Sequence, residues 1–576
     1  MRRFLWAALL LLLPALLRAQ DSVIVIDPDA PPTDTLLRGG PPSGVVAELI
    51  RMFNDSGATR VEGDVDLPAG SEFDGRLAVH RGTLRISGRV NGPITVANGT
   101  LHLLPGARVT GDILVVGGRL LKSEGAVHNG TERVYWDAAP VFRSDDGTLV
   151  IRERRKTLGE FATARTSFQT GKVRTTLLLA TGGTYNRVEG LPIVFGPTFE
   201  LYPSTNSSVK LDLRGILRTT SSDETRLKND FGYRARLELR KGIVGVSGQL
   251  YSEVEAFEDQ PLSPSENGWA AFLLQRDYRD YYERIGGGGE LWLTPIRPLR
   301  VAGNLRYDNE RSVRDADPWS LFRNSDQWRR NPLIDDGHYT TFGAQVDYDT
   351  RNEHDLPSSG WLLRSRYEHS GSDDVAPVLL PESVRPELPI GGGYAFDKLL
   401  LDFRRYSRLT PSLRVNARLR ADWWIGGDRL PVQRRVSLGG TDILPGYDFR
   451  VFDCAPEDFS DPAQPALCDR SLSAQVEVRT RLNLNLGFRV RDNEGKRSGR
   501  FIGIEEADLV FLSDAGKGWL AGDGPGQVPV NKIPSFHEWN VDVGVGLDAG
   551  AIGAYLAKGL DDGESVKFVV RLQRRF

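Results

Sequence analysis

Seven histidines and two cysteines are the side chains of this 576-residue sequence best suited to acid–base, nucleophilic or metal chemistry. His338, His354, His369 and His537 fall in loops or at strand ends, with no Gly-x-Ser-x-Gly elbow and no metal-ligand spacing beside them. A hydrolase would need nucleophile and base placed together at a strand end. No catalytic, cofactor or metal site is therefore predicted, and the chain is not read as an enzyme. His80, His102 and His128 lie within a repeat but not at one position of it, and they read as surface residues. The run Gly286–Gly289 is followed by neither Lys-Ser/Thr nor a helix, so it fits a crowded or bent strand better than a phosphate loop. Cys454 and Cys468 stand close together in a Pro/Asp-rich stretch and can pair in an oxidising compartment, the alternative being two free thiols. Closing that loop would contribute about 3 kcal/mol in the chain-entropy model.

The elements that carry these residues are mostly strands. From about residue 175 onward, apolar and polar side chains alternate in segment after segment. Leu413, Val415, Ala417, Leu419 and Ala421 interleave with Arg414, Asn416, Arg418, Arg420 and Asp422; Val541, Val543, Val545 and Leu547 interleave with Asp542, Gly544, Gly546 and Asp548. A period of two means β-structure with one apolar face. A soluble sandwich would alternate too, but segments of about 9–11 residues match a tilted membrane strand. Their polar faces mix both signs of charge, as a wet lumen requires, and Trp and Tyr recur at strand ends. Short turns near 203–208, 241–242, 295–298, 357–360 and 549–553 alternate with long stretches near 257–280, 309–338, 371–393, 438–472 and 514–537. The pattern predicts an all-β chain: a 16-stranded antiparallel transmembrane β-barrel over 175–576 with both barrel ends in the periplasm.

The first residues, Met1-Arg2-Arg3 and the apolar stretch to Leu17, read as a signal peptide cut after Ala19. Thereafter no apolar run is long enough for a membrane helix. Residues 20–58 read as a linker with one short amphipathic helix over Val45–Phe53. Next comes a repeat of roughly 17–19 residues. Leu77-Ala78-Val79 leads to Gly82-Thr83-Leu84, Ile94-Thr95-Val96 to Gly99-Thr100-Leu101, and Ile113-Leu114-Val115 to Gly118-Arg119-Leu120. This suits the coils of a β-solenoid over 59–135, with glycine at corners needing positive φ; a small β-sandwich is the alternative. The segment resembles the bactofilins, a polymer-forming family. Residues 136–174 read as a linker. Net charge is −3, with no basic excess to suggest nucleic acid as a partner.

Four segments of the barrel region resemble the bacterial surface antigen family, the barrel of the outer-membrane-protein-eighty-five superfamily. They are Asp349-Thr350-Arg351 with Pro357–Trp361; Leu438-Gly439-Gly440 with Leu444-Pro445-Gly446-Tyr447; Gln475–Arg479; and Leu509–Gly516. The second resembles the family's sixth extracellular loop, whose arginine meets acidic groups of the following strands. The resemblance implies Glu477, Arg479 and Asp514 as lumen partners. Two departures stand out: the arginine position is Pro445, with Arg450 as the candidate replacement, and the Phe of the family's Phe-x-Asp is Leu512. Gly446 would supply a tight turn and Tyr447 a packing contact. Phe568 and the terminal Phe576 resemble the signal read by the barrel-assembly machinery. The family's periplasmic POTRA domains have no counterpart before residue 150.

The resemblance implies an outer-membrane protein acting in assembly or export. Its partners would be outer-membrane lipid, the barrel-assembly machinery during biogenesis, and a periplasmic protein held by the N-terminal domain. The alternatives are an anchor or scaffold whose periplasmic solenoid binds partners or self-associates, and a passive pore.

Overall fold

The computed structural model describes Pro41 and residues 43–575 apart from short stretches, of which the longest are 152–162, 385–392, 455–463 and 490–500. The expected signal peptide, His354 and Phe576 lie outside the described residues. Within them no helix is long and apolar enough to cross a membrane.

Residues 58–135 form a β-solenoid of three parallel sheets around one core. One sheet stacks Ala58–Glu62, Arg76–His80, Ile94–Ala97, Ile113–Val116 and Glu132–Tyr135. The register puts Leu77 on Ile94 and Ile94 on Ile113, which is the sequence repeat made physical. Leu84, Val90, Val96, Leu101, Val109 and Val115 fill the interior. Of the corner glycines, Gly106 and Gly125 hold the expected positive φ, but those that open each repeat stand there for a different reason. Gly82, Gly99 and Gly118 are not at positive φ; a Cβ on Gly99 would lie 2.4 Å from the Gly82 carbonyl oxygen. The coils approach too closely there for any side chain.

The helix Ser43–Asn54 packs Val46, Leu49 and Phe53 onto the outer apolar face of the five-stranded sheet, at Ala78, Ala97, Leu114 and Val116. Spacings of three and four bring these residues to one helical face. The helix also changes the reading of the histidines. His80 is 1% exposed beneath it, edge-on to Phe53, and His128 is tied to Glu132 and the Gly111 carbonyl at 2.7 Å each. Neither is a surface residue, because neighbouring elements cover or bind them. The expected linker 136–174 likewise contains structure. A hairpin of Val141–Arg143 and Leu149–Ile151 packs on the helix, and Asn54 bonds both backbone groups of Leu149 at 2.7 Å.

The largest sheet holds seventeen strands, each antiparallel to the next in sequence. The sixteen predicted strands, from Val173–Thr181 to Lys567–Arg571, are joined at one edge by Thr163–Thr170. That extra strand starts at the loop end of the sheet, so the two ends of the seventeen-stranded sheet lie on opposite sides, whereas those of the sixteen share one side. Its sequence, TARTSFQT, is too polar to betray a strand by alternation.

The burial of this sheet is inverted relative to a soluble protein. Leu250, Leu305, Phe342, Phe511 and Leu556 are each at least half exposed, while Asn416, Arg418, Arg420 and Asp422 are each 6% exposed or less. Such an array of bare apolar side chains is tolerable in hydrocarbon, not in water. The ionic faces line the lumen.

Candidate functional site in the lumen

The strands supply an inner wall of paired charges. Arg418 reaches Asp402 at 3.0 Å on both oxygens, Arg420 pairs with Asp422 at 2.9 Å, and Arg479 bridges Glu477 at 2.8 Å and Asp548 at 2.6 Å. Each pair joins residues of one strand or of nearby strands, so alternation alone delivers them to the same face. A polar cavity of about 350 Å³ remains among Arg306, Arg366, Lys398, Arg434, Glu255 and Asp422, with Gly288 and Gly289 of the glycine run on its wall.

Much of the remaining lumen is occupied by the described residues of the connection 428–469, chiefly 428–452. Val432–Arg434 forms a short 3₁₀ turn, from which Arg434 meets Glu310 at 2.5 Å and Glu368 at 2.9 Å. Farther along, Leu438, Ile443, Leu444 and Tyr447 cluster with Phe452. The tip is fastened by hydrogen bonds onto strand carboxylates. The Leu444 N–H donates to Asp514 at 3.3 Å and the Gly446 N–H to Asp542 at 2.6 Å; the single proton of the Tyr447 hydroxyl lies between two acceptors, the Val541 carbonyl at 2.9 Å and Asp561 at 2.8 Å. Leu444 holds φ at +61°, a conformation rare for a non-glycine side chain.

The sequence-predicted residues therefore divide. Leu438, Leu444, Gly446 and Tyr447 meet the strands, Pro445 is buried between them, and Gly439 and Gly440 shape the approach at positive φ. Gly446 acts by close approach rather than by turning: its φ is not in the left-handed region, and a Cβ would lie 2.4 Å from the Gly559 nitrogen. Leu512 lies on the lumen face with Val510, Tyr555 and Val569. Phe568 is 68% exposed on the outer face. Cys454 and Cys468 form a disulfide. In the turn signature, Arg351 folds back on Asp349 at 2.7 Å and the Thr350 N–H reaches the Trp361 carbonyl at 2.9 Å.

Arg450 does not replace the missing loop arginine. It pairs with Asp280, at the loop end, where Arg187 and Arg329 also converge. Burial alone would raise the Asp280 carboxyl, yet Arg329, Arg450 and Arg187 together hold it well below the ordinary aspartate range. This cluster ties four loops together. The guanidinium on Asp514 and Glu477 comes instead from Arg575, just past the last strand, which bonds Asp514 and lies 3.6 Å from Glu477. Arg450 is drawn away because Asp280, fully buried and facing three cations, lies within its reach. The sequence did carry a signal for Arg575: it shares the polar face of Lys567 and Arg571, opposite Val566, Phe568, Val570 and Leu572.

Other polar groups escaped the sequence reading. Among them Glu266, on the loop helix Pro264–Leu274, accepts from Arg571 at 3.0 Å and from the Leu572 N–H at 2.7 Å. His338 sits with Asp374 at 2.5 Å and His369 with Asp397 at 3.0 Å, both in exposed pairs. Among the described residues, no group of three His, Cys, Asp or Glu side chains is arranged to hold a metal ion.

Comparison with curated proteins gave no match. Among solved structures, the crystal structure of BamA from Haemophilus ducreyi lacking POTRA domains 1–3 is similar at 13% identity and a TM-score of 0.40, over 75% of this chain and 80% of that one. CdiB from Acinetobacter baumannii gives 13% and 0.31 over 71% of this chain and 64% of its own; CdiB from Escherichia coli gives 13% and 0.32 over 70% and 62%. The chain thus spans less than two thirds of either CdiB. The family comparison matches residues 277–493, a span that includes the lumen connection and the strand carrying Glu477 and Arg479. On that match, laid over a sheet with an ionic lumen and an apolar exterior, the chain carries an Omp85 superfamily domain.

Proposed function

We propose that this protein is an outer-membrane barrel that acts in the assembly or export of other proteins, with its lumen closed by a removable plug. The observation that carries the reading is the manner in which the 428–469 tip is held: backbone N–H groups and a tyrosine on strand carboxylates and a carbonyl. Such contacts are polar, so water can replace them when the plug leaves, and the apolar cluster of Leu438, Ile443, Leu444, Tyr447 and Phe452 lies within the plug itself. Work of this kind is also what the Omp85 domain suggests. The experiment is depletion in the native host. General loss of outer-membrane proteins, or loss of a specific exported protein, supports the reading; unchanged outer-membrane and secreted profiles would overturn it. In the cell its partners would be outer-membrane lipid and the barrel-assembly machinery that inserts it.

A scaffold function is the second reading, and the solenoid favours it, since among the described residues the stacked coils end in strands with one ladder neighbour only, at Ala58–Glu62 and Glu132–Tyr135. We keep the solenoid in the periplasm in this reading, where it would bind a protein partner or a second copy. The strand Thr163–Thr170 starts at the loop end, which makes display at the cell surface the competing placement. Protease shaving of intact cells separates the two. Deleting residues 20–150 without loss of localisation or partner contacts would end the scaffold reading.

A further inference from the structure

Three pieces of chain that are remote in sequence meet at the inner side of the last strand. Lys567–Arg571 is only five residues long and pairs with Gly553–Gly559; among the described residues, no ladder joins it to the opposite edge of the sheet. Immediately after it the chain turns inward. The strand's parity would place Arg574 on the membrane side, where a guanidinium is costly, and it points instead to Asp508 at 3.0 Å and Asp548 at 3.6 Å. Arg575 is buried against Asp514 and Glu477 and donates to the Asp442 carbonyl at 3.0 Å, so one side chain grips two strands and the plug tip together. Arg571 does the same for two other pieces, meeting Glu266 of the loop helix at 3.0 Å and Asp442 and the Thr441 carbonyl of the plug at 3.3 and 3.1 Å.

We infer that Arg571, Arg574 and Arg575 form a strap that makes release of the plug and release of the last strand a single event. Asp514 is the shared point. It accepts from Arg575 while also holding the Leu444 N–H at 3.3 Å and the Gln475 amide at 3.2 Å. With Arg575 withdrawn, Asp514 and Glu477 are left buried without that cation, and the plug tip loses its fastening. With the plug withdrawn, Arg571 and Arg575 each lose a partner that holds the last strand's end inward. A cation supplied by the strand's own continuation couples the sheet edge to the plug directly, which a cation on the plug would not do.

The strap stands apart from the proposed role in assembly or export, because ion conductance reads it with no client present. The test is single-channel recording of the purified full-length chain in planar phosphatidylcholine bilayers. Arg575→Gln and Asp514→Asn should each raise the open-time fraction about tenfold or more, while Lys241→Gln, in a turn far from the strap, should leave it unchanged. Heat-modifiable mobility on gels reports whether each variant is folded. If Arg575→Gln does not fold, Arg575→Lys keeps a charge but cannot fork between two carboxylates, and should give an intermediate rise. Folded Arg575→Gln, or Arg575→Lys in its place, as quiet as the unaltered chain would overturn the inference.

Discussion

At Gly446 the plug tip runs so close to the strand Gly553–Gly559 that even a methyl group has no room. Gly446→Ala should therefore lift the tip, break the 2.6 Å bond to Asp542 and cost about 1–3 kcal/mol, the usual penalty for overpacking. The thermal midpoint of heat-modifiable mobility measures it. Asp280 makes a different argument. It is fully buried with Arg187, Arg329 and Arg450 around it, so Asp280→Asn leaves three guanidinium groups without their shared anion. Removing one partner of a buried pair costs about 3–5 kcal/mol, and the same midpoint should fall accordingly. The sign of the pH effect follows from its lowered carboxyl. A depressed carboxyl stabilises the fold above its unfolded value, about 3.9, and that contribution fades as pH falls through the lower folded value. Loop proteolysis should accordingly increase on acidification below about pH 4 in the unaltered protein, and much less so in Asp280→Asn.

Among the elements, the long strands and the solenoid coils were legible because their signals are local. Val415 and Arg418 declare opposite faces of one strand by position alone, and Leu77, Ile94 and Ile113 declare a coil by recurrence. The hairpin Val141–Arg143 with Leu149–Ile151 was not legible: three-residue strands carry no measurable period, and only the helix they cover gives them a reason to form. Partnerships across the lumen were the least legible. Arg450 and Asp280 are 170 residues apart, and Arg575 and Asp514 are 61 apart, so a list of charged residues in sequence cannot say which will meet. The family's loop pattern named Glu477 and Asp514 but not Arg575, the cation that meets both. Two further outcomes belong to this scale. Gly99→Ala should open the coil stack, because its methyl would overlap the Gly82 carbonyl, and limited proteolysis of the full chain should then cut within 58–135. Removing the Cys454–Cys468 disulfide should lower stability by about 3 kcal/mol, read as a lower thermal midpoint in cysteine-to-serine variants.

For the whole molecule, two architectures are strung on one chain: a solenoid that hides its apolar residues inside and a sheet that shows them outside. The inversion decides the environment of the second. Isolated surface leucines are ordinary, but Leu250, Leu291, Leu305, Phe342, Leu419, Phe511 and Leu556 belong to different strands and all face outward. Water would drive such a surface to associate, whereas a hydrocarbon layer accommodates it and leaves the ionic wall, the plug and the strap in an aqueous interior. The plug, the strap and the role in assembly or export all depend on this arrangement. The most direct test is a nitroxide scan of residues 413–423 in the lipid-reconstituted protein, with oxygen as the apolar collider and a nickel chelate as the aqueous one. Oxygen accessibility should peak at 413, 415, 417, 419 and 421 and fall at the even positions between them, a period of two set by the strand. High nickel accessibility at the odd positions, or no alternation at all, would contradict the account.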